Sequence, residues 1–280
     1  MASQQRERQP GTTAAAAGES TFGTPGDLNL LGLWTLYVKE VRRFLKVFTQ
    51  TLLAPVITTL VFLAIFTLAL GGTERRIGGI PYLEFLAPGL LMMAVVQNAF
   101  ANTSSSIMIA KVQGNIVDYL MPPLGPGELT FGVVMGGVTR GMIVGIAVWA
   151  AMNGFVRLLP LHPLAALASL LLASTMLSLL GLLAALWAEK FDQMAAVTNF
   201  VITPLSFLSG TFYTIHDLPG VFHAVALANP FFYMIDGIRW SFTGHADGPV
   251  GPGYLILLLV NAALAFLAWR LVKSGYRLKA

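Results

Sequence analysis

Four groups of polar residues are spaced so that they could do chemistry. Lys39, Arg42, Arg43 and Lys46 recur at three- and four-residue intervals, which puts four cations on one side of a helix. Such a stripe attracts anionic lipid or an acidic protein surface. Asn98, Asn102, Ser105 and Ser106, with Gln97 beside them, share one face of an otherwise apolar stretch. These groups either hydrogen-bond between helices or line a wet route. The run from Lys111 to Tyr119, KVQGNIVDY, is stopped by Pro122-Pro123 and reads as a short helix that a soluble partner could grip. The fourth group, residues 214–253, mixes His216, Asp217, His223, Asn229, Pro230, Asp236 and Arg239 with many apolar residues.

Several chemistries are excluded. Without cysteine there is no disulfide, thiolate metal site or cysteine nucleophile. The four histidines share no helical spacing suited to a metal. No Gly-x4-Gly-Lys-Ser/Thr loop is present to cradle ATP phosphates, and no His-Glu-x2-His zinc pattern. A Gly-x-Ser-x-Gly nucleophile turn is missing as well. Asp217, His223 and Asp236 make a poor hydrolytic site, since such residues usually serve as caps and loop contacts. The basic stripe lacks the soluble fold of a nucleic-acid binder, so no nucleic-acid partner is expected.

The elements that must position these groups follow from composition. The chain has 280 residues, 56% apolar and 11% charged, against about 25% charged in a soluble domain. Six stretches meet the requirement of about 20 mostly apolar residues for a bilayer span. They run roughly 52–70, 86–110, 131–152, 164–188, 195–213 and 254–272. The fold class is therefore all-α integral membrane. Arg140 is the one charge inside a span, where it snorkels, pairs with a carboxylate or touches substrate. Gly137, Gly141 and Gly145 form a ladder that lets helices approach closely. Pro55 should loosen the first turn of span one, and Pro204 should bend span five.

Residues 28–50 carry Leu30, Leu33, Trp34, Tyr37, Val41, Phe44, Leu45 and Phe48 at helical period opposite the basic stripe, the pattern of a helix lying in the membrane interface. A simple positive anchor and a partner-binding element both fit it. Lysine and arginine in the loops favour an inside N-terminus by twelve to four, which puts both termini in the cytoplasm. Residues 1–27 read as a disordered cytoplasmic tail, and Ala14 to Ala17 are too few for a signal-peptide core. Val221 to Leu227 and Phe231 to Trp240 are each too short to span. Broken at Asn229-Pro230, they read as an outer re-entrant hairpin, tolerated only where protein or a cavity covers it.

These features leave three other classes to weigh. A membrane enzyme such as a lipid-modifying transferase needs a carboxylate cluster at one membrane face. A carrier or channel working without ATP needs charges within the spans or an inverted repeat. The sequence shows no such cluster, no rows of Asp or Glu within the spans and no inverted repeat, and a scaffold remains.

The order of elements resembles the ABC-2 type permeases, the membrane subunits of a class of ATP-driven bacterial exporters. Residues 88–106, PGLLMMAVVQNAFANTSSS, and GGVTRG at 136–141 are similar to the YadH-type branch, and PFFYMIDGIR at 230–239 resembles the family's C-terminal pattern. The resemblance covers about residues 28–278, and places residues 28–280 in one ABC-2 type transmembrane domain. It implies that Lys111, Val112, Gln113, Gly114, Asn115, Ile116, Val117, Asp118 and Tyr119 form a coupling helix seated in a separate cytoplasmic ATPase. By the same resemblance, Lys39, Arg42, Arg43 and Lys46 lie beside that ATPase, and Asn98, Asn102 and Ser105 near a homodimer interface that forms the pathway. Asn229, Pro230, Asp236 and Arg239 belong to the hairpin capping the route. No cofactor is expected on this chain, because ATP and magnesium are bound by the partner. The resemblance implies a bacterial inner-membrane location and leaves the substrate open.

Overall fold

The computed structural model describes residues 28–69 and 76–278, and the architecture is almost wholly helical. The expected tail 1–27 lies outside the described residues. Helix α1 runs Leu30–Leu45, and the Asn29 side chain caps it by accepting from the Gly32 amide at 2.8 Å. It packs along α5, and its buried line is Leu36, Glu40 and Phe44. Leu30, Trp34, Leu45 and Phe48 of the apolar pattern stay exposed. A carboxylate thus occupies the centre of the face turned inward, which apolar periodicity did not indicate.

A π turn at Thr49–Leu53 leads into α2, Ala54–Ala69. This is the loosening expected from Pro55, whose ring nitrogen cannot donate to the preceding turn. A short antiparallel hairpin follows, β1 Arg76–Ile77 against β2 Ile80–Pro81. Gly78 and Gly79 turn it with φ of 57° and 83°, the left-handed pair that a two-residue hairpin needs.

Helix α3, Tyr82–Val112, is the hub of the bundle. Its 31 residues extend roughly 46 Å, well beyond a hydrocarbon core of about 30 Å. A single turn of helix, α4 Val117–Leu120, follows. Helix α5 is Pro126–Met152 and α6 is Pro163–Trp187, each begun by a proline in the first turn, where its missing amide costs nothing. Helices α5 and α6 both pack along α3. Lipid supplies little hydrophobic drive between helices, so close backbone approach has to hold them. A Cβ on Gly141 would sit 2.6 Å from Ser174 Oγ, and one on Gly181 would sit 2.6 Å from the Phe100 carbonyl. Two rungs of the glycine ladder are therefore answered by serines of α6, Gly141 by Ser174 and Gly137 by Ser178, while Gly145 faces Val95 of α3.

The segment expected as span five departs from the sequence reading. It is helical in three pieces: α7 Phe191–Val197, a π turn Thr198–Ile202, and α8 Thr203–Phe207. It ends six residues before the expected 213. Pro204 withholds a donor near the π turn, and Gly210 then turns the chain with φ of 78°. A 3-10 turn at Ile215–Asp217 precedes α9, Gly220–Ala228, and α10, Pro230–Thr243, which meet at 82°. Helix α11, Val250–Ser274, closes the bundle against α6 and α10. Among the described residues five helices are long and apolar enough to cross a membrane, and the bent α9–α10 pair would make a sixth.

Candidate functional site

The polar residues collect at two places along α3. The inner one centres on Glu40, whose side chain is fully buried. Its Oε1 accepts from Ser106 Oγ at 2.7 Å and from the Tyr119 hydroxyl at 2.8 Å. Its Oε2 lies 3.3 Å from Arg43 Nη2. Arg43 also donates to Asn102 Oδ1 at 3.0 Å, to the Asn102 carbonyl at 2.7 Å and to Ser105 Oγ at 3.2 Å. One carboxylate therefore ties α1, α3 and α4 together, and its own lone pairs are satisfied, as burial demands. Burial and the Glu40 charge push the Tyr119 phenol above its usual range, so it remains a donor. Lys39 Nζ sits 3.7 Å from the centre of the Tyr119 ring.

This changes the roles of two expected groups. Arg43 does not join the outward basic stripe; it turns into α3, while Lys39, Arg42 and Lys46 remain exposed. Asn102 and Ser105 serve the Arg43 contact, so part of the polar face of α3 is packing. Asn98 is bound differently: Arg140 Nη2 donates to its Oδ1 at 2.9 Å. Among the described residues Arg140 has no carboxylate partner, and its Nε is buried without any partner. Gln97, Asn98 and Ser105 face two grooves. One, of about 670 Å³, lies between α2 and α3. The other, of about 740 Å³, lies between α3 and the α7–α8 segment.

The stretch Lys111 to Tyr119 is not one helix. Lys111 and Val112 end α3, and Gly114 breaks the chain with φ of 74° before α4 begins at Val117. Lys111 Nζ donates to the carbonyls of Ala185, Leu186 and Ala188, where it neutralises the negative end of α6. Gln113, Asn115, Val117 and Asp118 are exposed, whereas Ile116 and Tyr119 are buried. Glu128, on the next helix, accepts from the Gly125 and Asn29 amides and pins the start of α1 to the start of α5.

The outer polar place is sealed. Arg239 is fully buried, stacked with its guanidinium carbon 3.7 Å from the Phe85 ring centre. It donates to the Gly210 carbonyl at 2.6 Å and the Phe85 carbonyl at 3.3 Å, and lies 3.6 Å from Asp247 Oδ2. Asp236 accepts from the Asp247 and Gly248 amides at 2.7 and 3.0 Å. Asn229 caps α10 by accepting from the Phe231 amide at 3.0 Å, and donates to the Leu205 carbonyl at 3.0 Å. These contacts fix the Asn229-Pro230 bend. Asp236 is buried, whereas Asp217 is exposed.

Sequence reasoning missed Glu40 and Asp247. Glu40 had a legible signal, as the lone acid in the basic stripe and three residues before Arg43. Asp247 had none, since it lies in a turn-rich loop eight residues from the arginine it faces.

The sequence matches the pattern of a known protein family, ABC-2 type transporter, over residues 32–243. It is 37% identical over 250 residues to the inner membrane transport permease YadH of Escherichia coli K12, spanning 89% of this chain and 97% of that one. It is 29% identical over 236 residues to nodulation protein J of Rhizobium leguminosarum bv. trifolii, spanning 82% and 87%. Against nodulation protein J of Rhizobium meliloti strain 1021 the identity is 27% over 240 residues, spanning 78% and 90%.

Proposed function

We propose, since this chain belongs to the ABC-2 type transporter family and is a multi-pass inner membrane subunit of an ABC transporter, how it does its work. Two copies assemble with two cytoplasmic ATPase subunits, and the complex exports its substrate. Both termini lie in the cytoplasm. ATP and magnesium stay on the partner, and this chain converts the partner's motion into movement of helices.

The observation that carries this reading is the Glu40 knot. An ATPase gripping residues 113–118 pulls on Tyr119, and Tyr119 shares the Glu40 carboxylate with Ser106 of α3 and with Arg43 of α1. A displacement at the cytoplasmic surface thus reaches the polar face of α3 through hydrogen bonds. The exposed Lys39, Arg42 and Lys46 suit the anionic surface of the inner leaflet beside that contact. A dimer suits the grooves as well. Gln97, Asn98 and Ser105 facing lipid would be costly, and a second copy laid over α2 and the α7–α8 segment removes that cost. The α9–α10 pair, broken at Asn229-Pro230 and held by Arg239, then closes the outer end of the route.

Tagged protein isolated from its native membrane in mild detergent tests the reading. A stoichiometric ATP-binding subunit should accompany it. Replacing residues 114–119 with a flexible linker should lose that subunit and the vanadate-sensitive hydrolysis. If the intact chain comes alone, and adding the candidate ATPase restores neither, the coupling role fails.

A further inference from the structure

We infer that the groove between α2 and α3 binds an anionic amphiphile, with the charged head on Arg140. Calling that ligand the transported substrate rests on the transporter reading above; the binding itself does not.

Arg140 lies in the middle of α5, roughly 20 Å from either end, farther than an arginine side chain can snorkel. Its one hydrogen bond is to the neutral amide of Asn98, and its buried Nε has no partner. Arg43, at the inner end of the same groove, is already balanced by Glu40. The groove therefore holds one positive charge that the described residues do not neutralise. An unpaired charge at membrane depth is expensive, so a negative group should sit there when the protein works.

The described residues of a second copy do not provide it. Glu84 and Glu128 stand in the first turns of α3 and α5, Asp118 and Asp192 in the first turns of the short helices α4 and α7, and Glu189 in the connection before α7. Glu40, Asp236 and Asp247 are buried and engaged in their own knots, and Asp217 is exposed in the 3-10 turn before α9. No carboxylate of the described residues is free near the depth of Arg140. With none of the described carboxylates left to serve, the negative group is assigned to a ligand.

The groove describes the rest of that ligand. Its volume of about 670 Å³ is within the range of small-molecule sites, about 300–1,000 Å³. Asn98 stands beside Arg140, Gln97 and Thr58 add hydrogen-bonding groups to the same groove, and Phe62, Leu90 and Phe212 line it with apolar surface. A guanidinium favours a phosphate or carboxylate, which it can hold with two parallel hydrogen bonds. A polar anionic head and an apolar chain therefore fit together here, and a small soluble anion would leave the apolar wall uncovered.

The test uses the full chain in phosphatidylcholine nanodiscs with radiolabelled dodecyl phosphate, read by scintillation proximity against protein-free discs. Saturable binding is expected, displaced by unlabelled dodecyl phosphate but not by equal concentrations of dodecanol or inorganic phosphate. Arg140→Gln should weaken it roughly 10- to 100-fold, the worth of a hydrogen bond to a charged group, with Arg140→Lys between. Asn98→Asp puts the missing negative charge beside Arg140 without removing it, and should weaken binding by a similar factor. That variant keeps the test decisive if Arg140→Gln does not fold. Wild-type affinity in Asn98→Asp or in folded Arg140→Gln overturns the assignment. Displacement by dodecanol means the chain alone is held, and displacement by inorganic phosphate means a soluble anion; either also overturns it. ATPase takes no part, so loss of partner binding and loss of ligand binding are read separately.

Discussion

The inner knot around Glu40 and the outer knot around Arg239 use the same kind of chemistry to opposite ends. Each places a buried charge against α3 and holds it with hydrogen bonds, although Arg239 Nη1 makes none and has only the 3.6 Å ion pair with Asp247. The outer one is closed: Arg239 has no exposed surface, and backbone carbonyls of two segments hold it. Such groups cannot rearrange without breaking the chain path. The inner one is open on one side, with the Arg43 side chain 28% exposed and lining a groove. Its partners are side chains on three separate elements, and side chains can exchange partners at modest cost. The outer knot behaves as a fixed point and the inner knot as a joint.

The comparison breaks most readily at the outer end. Arg239→Ala leaves the buried Asp247 with only His245, 3.2 Å from its Oδ1, and loss of one member of a buried pair costs about 3–5 kcal/mol. The variant should fail to accumulate, or melt far below wild type in detergent. If it melts like wild type, the outer knot is no anchor. Glu40→Gln should cost less stability, about 1.5–3 kcal/mol for the charged hydrogen bonds it weakens. Its larger effect should be functional: ATPase still co-purifies, but substrate-stimulated hydrolysis falls. Unchanged stimulation would remove the joint. Gly137→Ala tests the rigid frame between the knots, since the added methyl meets Ser178 of α6. Overpacking there should cost about 1–3 kcal/mol in thermal stability and be partly rescued by Ser178→Gly.

The smallest expected effect is that of Tyr119→Phe, about 1 kcal/mol for one hydrogen bond. Because the Tyr119 phenol is raised in the fold, its contribution is complete below the ordinary phenol value of about 10 and is lost only as pH rises above that. The stability difference between Tyr119→Phe and wild type should be constant from pH 6 to pH 9. A difference that shrinks within this range would show that Glu40 does not hold the phenol.

Much of this was legible because a bilayer leaves few solutions. The long apolar runs at 86–110, 131–152, 164–188 and 254–272 became α3, α5, α6 and α11 with small shifts at their ends. Asn229-Pro230 was readable as a break, since the asparagine caps what the proline begins. Span five was misjudged because hydropathy reports residues that tolerate lipid, not residues that stay helical. Pro204 and Gly210 set the end of that helix, and the apolar run continues past both. Within Lys111 to Tyr119, the left-handed Gly114 decided the break, and nothing in apolar spacing marks a glycine that must turn. The knots were least legible. Glu40 meets Ser106 and Tyr119 across 66 and 79 residues, and only tertiary packing brings such partners together.

The two π turns have a consequence for how this sequence can change. Thr49–Leu53 precedes α2, and Thr198–Ile202 precedes α8, so each wall of the polar face of α3 begins with one surplus residue. Removing a residue from an ordinary helix rotates all that follows by about 100° and turns its lipid face inward. Removing one from a π turn restores the ordinary helical count, so the rotation is taken up where the turn was wound wide. Single-residue deletions should therefore be survivable at these two sites and ruinous in the middle of α5. The two walls flanking the polar face of α3 are the places where the length of the chain is free to drift while its register is kept.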